Sequence, residues 1–337
     1  MKNFILKLLL FSLPLLMLLI LYVIIDPFKV IYKYSEQINT YKDYQITENR
    51  DFQSTQLFLW NYNKYDYNSF ILGNSRSMFY QVKTWNKFIK GNSFHFNASS
   101  ETIYGINGKL KLMDELNVNI KNVLIILDES TLSGTKNSTG HLFIKHPTIS
   151  NESYLFFHIE MLKGFFSKSM FAYIDLFFRG EKKKYMAGTI TNNVWKHDMK
   201  SNQLSYYIYD KEIKNNPKSY YSDKHELFDK RDTIQKFSEP SINRDQEVLL
   251  KSIYSILESH KTNYKIIINP LYDQIKINPK DLIYLRNLFG IENVFDFSGI
   301  NSITNDYHNY YETSHYRPRV CDSILNIIYS QRNSTWR

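Results

Sequence analysis

The sequence has little cysteine and lacks the spaced motifs that build metal and nucleotide sites. Cys321 is the one cysteine in 337 residues. A single thiol excludes an intramolecular disulfide and the Cys₄ and Cys₂His₂ classes of zinc site. No His-x-x-x-His pair or carboxylate cluster indicates a metal site, and no Gly-rich phosphate-binding fingerprint occurs. We therefore expect no metal and no cofactor, and we expect Cys321 to be buried in the last helix.

Charge and aromatic content restrict the partners. The formal net charge is +9, but the basic residues are scattered, and the densest run is Lys182–Lys184. Nucleic-acid binding requires a basic patch, so we expect no nucleic-acid partner. A solvated basic surface is the simpler interpretation, and attraction to anionic polymer or lipid is the second. The 27 tyrosines and 23 phenylalanines suit either a thick core or stacking on sugar rings.

The N-terminus predicts a membrane anchor. Leu8 to Ile25 is uncharged and follows Lys2 and Lys7, and about 20 apolar residues cross a ~30 Å hydrocarbon layer as a helix. Nothing small follows for a signal peptidase. Residues 1–28 are therefore predicted to be an uncleaved transmembrane signal anchor and 29–65 a juxtamembrane segment. The expected location is the cytoplasmic membrane, single-pass, with the globular domain periplasmic or extracellular.

Strands and helices alternate downstream. Five short apolar runs are predicted strands: Ser69–Leu72, Phe94–Asn97, Val123–Leu127, Tyr264–Asn269 and Asn293–Phe297. Continuous apolar runs are typical of strands buried on both faces. The pattern predicts an α/β three-layer sandwich with a five-stranded parallel sheet of flavodoxin-like type in residues 66–332. The span 130–243 interrupts the rhythm and is predicted to be a cap insertion near the site.

Ser75 is the candidate nucleophile. It follows the first predicted strand in Gly73-Asn74-Ser75, at the sheet edge where a parallel α/β domain presents such a group. Gly-Asn-Ser also forms ordinary turns. Glu312 and His315 come after the last predicted strand, on an expected loop. There the carboxylate can orient the imidazole, although Glu-x-x-His is also a common surface pair.

At this point the sequence resembles the SGNH/GDSL hydrolase superfamily. It is most similar to the membrane-anchored branch found with polysaccharide O-acetylation and teichoic-acid D-alanylation. The residues that carry the resemblance are Ile71–Ser77, Phe96–Ser100, Val123–Asp128 and Tyr311–Pro318. The resemblance implies that Ser75 is the nucleophile, His315 the general base and Glu312 its orienting acid. It also implies an oxyanion hole built from the N–H of Ser75 and donors in two later blocks.

Those later blocks depart from the family pattern. The second reads Asn97-Ala98-Ser99-Ser100, with serine in place of the usual glycine, so a backbone N–H of Ser99 or Ser100 is the expected donor. The third reads Leu127-Asp128-Glu129-Ser130 and lacks the usual asparagine. We place Asn97, Ser99, Ser100, Asp128 and Arg76 at the oxyanion site or pocket.

Alternatives stay open for several of these residues. Asp128 and Glu129 suit either lining the pocket or capping a helix N-terminus. Arg76 suits binding an anionic group, or pairing with Glu101 or Asp128. His141 and His146 either face the site from the cap or are ordinary loop histidines.

Two functions are compatible with the sequence. The first is a membrane-anchored, envelope-facing serine esterase or O-acyltransferase that acts on acyl groups of a cell-surface polysaccharide, with a membrane-bound acyltransferase as a further partner. The second is a catalytically inactive protein of the same fold that binds or scaffolds a surface glycan.

Overall fold

The computed structural model describes residues 2–32, 34, 44–167, 169–192, 195–228, 231 and 233–330. Its α-helices are α1 Lys2–Ile25, α2 Arg50–Tyr65, α3 Val82–Trp85, α4 Ile103–Glu115, α5 Glu129–Ser133, α6 Pro147–Ser150, α7 Tyr154–Phe165, α8 Met170–Arg179, α9 Tyr207–Asn215, α10 Pro217–Asp223, α11 Arg244–Ser259, α12 Pro279–Phe289, α13 Ser302–Asn305 and α14 Pro318–Tyr329. Short 3₁₀ helices cover Ser75–Phe79, Lys184–Met186, His225–Leu227 and Tyr307–Asn309. The strands are β1 Tyr44–Ile46, β2 Ser69–Leu72, β3 Ser93–His95, β4 Asn122–Leu127, β5 Ile190–Asn192, β6 Lys196–Asp198, β7 Gln203–Ser205, β8 Asn263–Ile268, β9 Val294–Asp296, β10 Tyr310–Glu312 and β11 His315–Tyr316.

These elements form two compact units. The first comprises residues 1–49, 139–144 and 152–193, and the second comprises 50–138, 145–151 and 194–337. The predicted insertion, 130–243, therefore contributes to both units. The second unit begins with α2, which the sequence analysis placed in the juxtamembrane segment.

The second unit contains a five-stranded parallel sheet in the order β3-β2-β4-β8-β9. This agrees with the predicted sheet, and each strand lies within one or two residues of its predicted range. Taken along the chain, the order is the 2-1-3-4-5 arrangement of flavodoxin-like domains. All carboxyl ends of the strands therefore meet at one edge, and the connections after them can carry a site.

Helices cover both faces of this sheet because its strands are apolar on both sides. Along β2, Phe70 and Leu72 join one buried cluster with side chains of α4 and α11, whereas Ile71 joins a second cluster with α14. Side chains of a strand alternate between faces, so a continuous apolar run buries both. This is why β2 and β4 are completely buried.

The first unit is built mainly from α1, α7 and α8. Tyr22 contacts Phe165, with ring centroids 5.2 Å apart, and Phe28 contacts the edge of Tyr173 at 5.4 Å. The unit also contains the antiparallel pair β1 and β5. Asp26 is completely buried just after α1, where its carboxylate accepts the backbone N–H of Val30 at 2.9 Å.

The predicted transmembrane helix is wrong. Within the described parts of the chain, we find no helix with the length and apolar character needed to cross a membrane.

Candidate active site

The turn after β2 is fixed by glycine and asparagine. Gly73 has φ +155°, and a Cβ there would lie 2.9 Å from the carbonyl oxygen of Ile126 in β4. A larger residue therefore cannot follow β2 at this approach. Asn74 caps the 3₁₀ helix that follows, since its side-chain oxygen accepts the N–H of Arg76 at 3.0 Å. Ser75 consequently lies at the first position of that helix, half-buried at the carboxyl edge of the sheet.

A two-stranded hairpin presents the candidate base. β10 and β11 are antiparallel, and their register places Glu312 opposite His315. The prediction that His315 lies on a loop is therefore wrong, because Tyr310–Tyr316 folds back on itself as a β-hairpin. Side chains directly opposite each other in an antiparallel pair point to the same face. The hairpin thus brings the carboxylate and the imidazole together.

The three predicted catalytic side chains form one hydrogen-bonded chain. The Ser75 Oγ atom lies 3.0 Å from His315 Nε2, and His315 Nδ1 makes a short hydrogen bond with Glu312 Oε1. Because a carboxylate only accepts, this network assigns the proton to Nδ1 and leaves Nε2 free to accept the Ser75 hydroxyl proton. That arrangement can abstract a proton from a serine hydroxyl.

The charge of Glu312 is stabilised within the hairpin. Burial by itself would raise its pKa, but the hydrogen bond and charge of His315 and the N–H of Ser314, at 2.6 Å, outweigh burial and lower the pKa below its usual value. Glu312 is therefore ionised when His315 takes up a proton. An ionised partner stabilises the imidazolium that forms during attack on a carbonyl.

Asp128 links the serine turn to the histidine hairpin. Its Oδ2 atom accepts Arg76 Nη1 at 2.7 Å and Asn74 Nδ2 at 2.8 Å. The Nε atom of Arg76 in turn donates to the carbonyl of Ser314 at 3.1 Å. Arg76 therefore bridges from the end of β4 to the residue before His315.

The other carboxylate oxygen of Asp128 caps α5, where it accepts the N–H of Thr131 at 2.9 Å. Asp128 thus caps a helix, which is one of its two predicted roles, and it pairs with Arg76, which is one of the predicted roles of Arg76. Burial would raise the pKa of Asp128, but the charge of Arg76 and four hydrogen-bond donors lower it. Asp128 is therefore an ionised hydrogen-bond acceptor at the end of β4.

Asn269 extends this network to the hairpin's second strand. It follows β8, and its Oδ1 atom accepts the hydroxyl of Tyr316 at 2.7 Å. Its Nδ2 atom lies 3.4 Å from Asp128 Oδ2. A small cleft of about 30 Å³, which Ser75 and His315 do not line, opens beside Asp128 and Asn269 at the carboxyl ends of β4 and β8. In a flavodoxin-like sheet this edge is where ligands bind.

The residues predicted to supply a second oxyanion-hole donor are Asn97, Ser99 and Ser100. Asn97 is buried; its Oδ1 atom accepts Arg50 Nε at 3.3 Å, and its Nδ2 atom has no hydrogen-bond partner within the described residues. Ser99 is half-buried and Ser100 is exposed. Ser100 has φ +48°, a conformation that glycine adopts more easily. The donor roles of Ser99 and Ser100 stay predictions.

Three other predicted neighbours are engaged elsewhere. Glu101 binds Lys109 and, at 2.6 Å, Lys145, so it is not the partner of Arg76. His146 is buried, and its Nε2 atom lies 2.6 Å from Gln56 Nε2. The backbone N–H of His146 donates to Asp51 Oδ1 at 2.8 Å. Burial lowers the pKa of His146 to about 4, which keeps it neutral. His141 belongs to the first unit, where it contacts Phe28.

A second serine–histidine pair, Ser77 and His95, packs against the turn that carries Ser75. Ser77 donates to the carbonyl of Asn74 at 2.7 Å and lies 3.1 Å from His95 Nε2. Both side chains are completely buried, so no substrate reaches them, and burial lowers the pKa of His95 to about 3. His95 Nδ1 faces Gln203 Oε1 at 3.3 Å. The sequence analysis missed this pair, although Ser77 stands two residues from Ser75.

Aromatic rings from the predicted insertion border the imidazole. Trp195 precedes β6 and Tyr206 follows β7, and the β6–β7 register pairs Lys196 with Ser205, so the two rings are the next cross-strand pair. They stack with centroids 3.6 Å apart. The Tyr206 ring packs edge-to-face with the His315 ring at a centroid distance of 6.1 Å. It also contacts the Phe79 ring in a tilted arrangement at 5.5 Å. Phe79 is buried, whereas Trp195 and Tyr206 are partly exposed, and we call these two rings the aromatic wall.

Among the described residues, no group of three or more His, Cys, Asp or Glu side chains is arranged to hold a metal ion.

Comparison of the chain with protein-family models, with curated proteins and with solved structures finds no match. The resemblance to the SGNH/GDSL superfamily therefore stays a prediction from Ile71–Ser77, Phe96–Ser100, Val123–Asp128 and Tyr311–Pro318.

Proposed function

We propose that the protein is a serine esterase or O-acyltransferase that acts on acyl groups of a cell-surface polysaccharide. The observation that carries the proposal is the chain from Ser75 Oγ through His315 to Glu312. A serine, a base with its accepting nitrogen toward the hydroxyl, and an ionised acid behind the base are the three parts that nucleophilic acyl transfer needs.

The proposed reaction has two halves. In the first, Ser75 Oγ attacks the ester carbonyl while His315 Nε2 takes the serine proton. The ester C–O bond then breaks, and the leaving alcohol receives that proton from His315. In the second, His315 removes a proton from water or from an acceptor hydroxyl, whose oxygen attacks the acyl-serine. The Ser75 Oγ–acyl bond then breaks and the proton returns to Ser75. Water as the acceptor gives hydrolysis and a sugar hydroxyl gives transfer.

The polysaccharide part of the proposal rests on two supports. One is the resemblance of the sequence to envelope acyl-transfer systems. The other is the aromatic wall beside His315, because flat aromatic faces carry partial negative charge that suits the C–H groups of a sugar ring. An exported location and a membrane-bound acyltransferase partner stay predictions.

A second candidate is a protein of this fold that binds glycan without turnover. The specific observation in its favour is Asp128, an acceptor-only carboxylate where the family pattern has a donor. Loss of one oxyanion donor costs roughly 10²–10³ in kcat. This candidate predicts glycan binding that is unchanged by loss of the Ser75 hydroxyl.

Ester turnover by the full chain separates the two candidates. We expect hydrolysis of 4-nitrophenyl acetate and release or transfer of acetate from an O-acetylated polysaccharide, and we expect Ser75→Ala to remove both. Ser302→Ala, a change at an exposed serine, is the matched control and is expected to keep both. Equal rates for wild type and Ser75→Ala would contradict the proposed function.

A further inference from the structure

Helix α7 of the first unit has two apolar stripes rather than one. Its buried stripe contains Phe157, Met161 and Phe165. A second stripe, at helical spacing on a different side of the helix, contains Leu155, Ile159 and Leu162. Phe166, directly after the last residue of α7, continues it. Leu155 is 72% exposed and Ile159 is 40% exposed. A surface helix in water places polar residues on such a side, so the packing of the first unit does not explain this stripe.

Helix α8 repeats the pattern. Ala172, Tyr173 and Leu176 are buried, and the Tyr173 ring stacks on Phe165 of α7. On another side, Phe171 and Phe178 are seven residues apart and are 69% and 67% exposed. Two phenylalanines two turns apart lie on one face of a helix. We call the outward side chains of α7 and α8 together (Leu155, Ile159, Leu162, Phe166, Phe171 and Phe178) the outer apolar face.

Basic residues adjoin this face. Phe178 is followed by Arg179 and then by Lys182, Lys183 and Lys184, against Asp175 and Glu181 in the same stretch, which leaves an excess of positive charge. Asp175 pairs with Arg179 at 2.6 Å and with Lys183 at 2.9 Å. Clusters of four or more Lys and Arg beside an apolar helix are attracted to anionic lipid headgroups.

We propose that the outer apolar face docks on an anionic lipid surface, with α7 and α8 lying along the interface. Exposed apolar area of this kind marks an interaction site, and helices that bind an interface bury phenylalanine and leucine while lysine and arginine contact the headgroups. Charge complementarity selects lipid over a second copy of this chain, because a symmetric dimer would bring two basic stretches together. Asp175 lies between Phe171 and Phe178 on this side of α8, and its charge is balanced by Arg179 and Lys183.

Co-sedimentation of the full chain with lipid vesicles tests this proposal. Wild type is expected to bind vesicles of phosphatidylcholine containing about 30% phosphatidylglycerol more tightly than vesicles of phosphatidylcholine alone, and less tightly at high salt. Phe171→Ser/Phe178→Ser is expected to lower the partition coefficient at least about tenfold. Lys182→Gln/Lys184→Gln is expected to weaken binding to the anionic vesicles only.

Matched controls are available in the second unit, where Val248 and Ile283 are 62% and 59% exposed. Val248→Ser/Ile283→Ser is expected to leave vesicle binding unchanged, and circular dichroism checks that each variant is folded. Equal vesicle binding by wild type and Phe171→Ser/Phe178→Ser would overturn the proposal. The proposal would also be overturned if the wild-type protein did not bind vesicles but formed dimers, and if Phe171→Ser/Phe178→Ser abolished those dimers. Ester turnover is measured separately, so the proposed function stands or falls independently.

Discussion

His315 Nε2 lies 3.0 Å from Ser75 Oγ although 240 residues separate the two in the chain. Two local structures create this contact. One is the Gly73–Asn74 turn at the end of β2, and the other is the β10–β11 hairpin, which places Glu312 opposite His315. The contact is a property of the folded second unit, and four predictions follow from the groups around it.

Glu312→Gln tests the charge behind the imidazole. The amide keeps a hydrogen-bonding group near Nδ1 but removes the negative charge and permits the wrong tautomer, so we expect kcat for ester turnover to fall by roughly 10²–10⁴ with little change in KM. Glu115→Gln, a change at an exposed glutamate in α4, is the control. A Glu312→Gln protein with wild-type kcat would show that Glu312 is an ordinary hairpin contact.

Asp128→Asn tests the link between the serine turn and the histidine hairpin. Asparagine caps a helix as well as aspartate does, so α5 keeps its cap while Arg76 loses its ion pair. We expect a fall in kcat of about 10- to 100-fold, because a displacement near 1 Å costs about that much, and a stability loss of about 1–3 kcal/mol. Stopped-flow kinetics and urea unfolding measure the two effects.

Asp281→Asn is the matched control for Asp128→Asn. Asp281 is also buried, and it accepts the backbone N–H groups of Ser241 and Ile242. Its replacement is expected to cost stability without changing kcat. If the two variants changed kcat equally, Asp128 would have no particular role in positioning Arg76.

The stability of the protein is expected to fall in acid in a way that depends on Asp128. The pKa of this group is lowered in the folded state, so the unfolded chain binds the proton more readily. The stabilisation is complete above the ordinary aspartate pKa of about 4 and is lost as pH falls through the lower folded-state value. Urea unfolding from pH 6 to pH 3 should show a shallower decline for Asp128→Asn than for wild type, and parallel declines would contradict this.

Trp195→Ala tests the aromatic wall. We expect KM for an O-acetylated oligosaccharide to rise roughly 2- to 10-fold, since an aromatic stacking contact is worth about 0.5–1.5 kcal/mol, while kcat/KM for 4-nitrophenyl acetate stays within about twofold. Trp60→Ala, in α2 of the same unit, is the comparison for loss of a tryptophan elsewhere. An equal effect on both substrates would mean that Trp195 supports the fold and does not select the sugar.

The sheet could be predicted from the sequence because β2, β4 and β8 are apolar runs bounded by helical spacers. The long helices were equally accessible, since α4 and α11 bury residues at helical spacing. The N-terminal helix was also predicted, but its membrane-spanning character was wrong. Apolar composition indicates a helix more reliably than it indicates what surrounds that helix.

The site could be predicted only in part. Ser75, Glu312 and His315 stand in short motifs whose order along the chain suggested their convergence. The Arg76–Asp128 bridge and the Trp195–Tyr206 stack could not be chosen over alternatives, because each depends on tertiary contacts between distant segments. The buried pair Ser77 and His95 gave no signal, since its histidine lies at the end of the short buried strand β3.

Reaction of the full chain with a fluorophosphonate probe, followed by peptide mass spectrometry, tests the central claim most directly. The account predicts one phosphonyl group per chain on Ser75, with labelling slowed at least about 100-fold in His315→Ala because the base is gone. A protein that reacts at another serine, or that leaves Ser75 unmodified while remaining folded, would contradict the claim that Ser75 is an activated nucleophile.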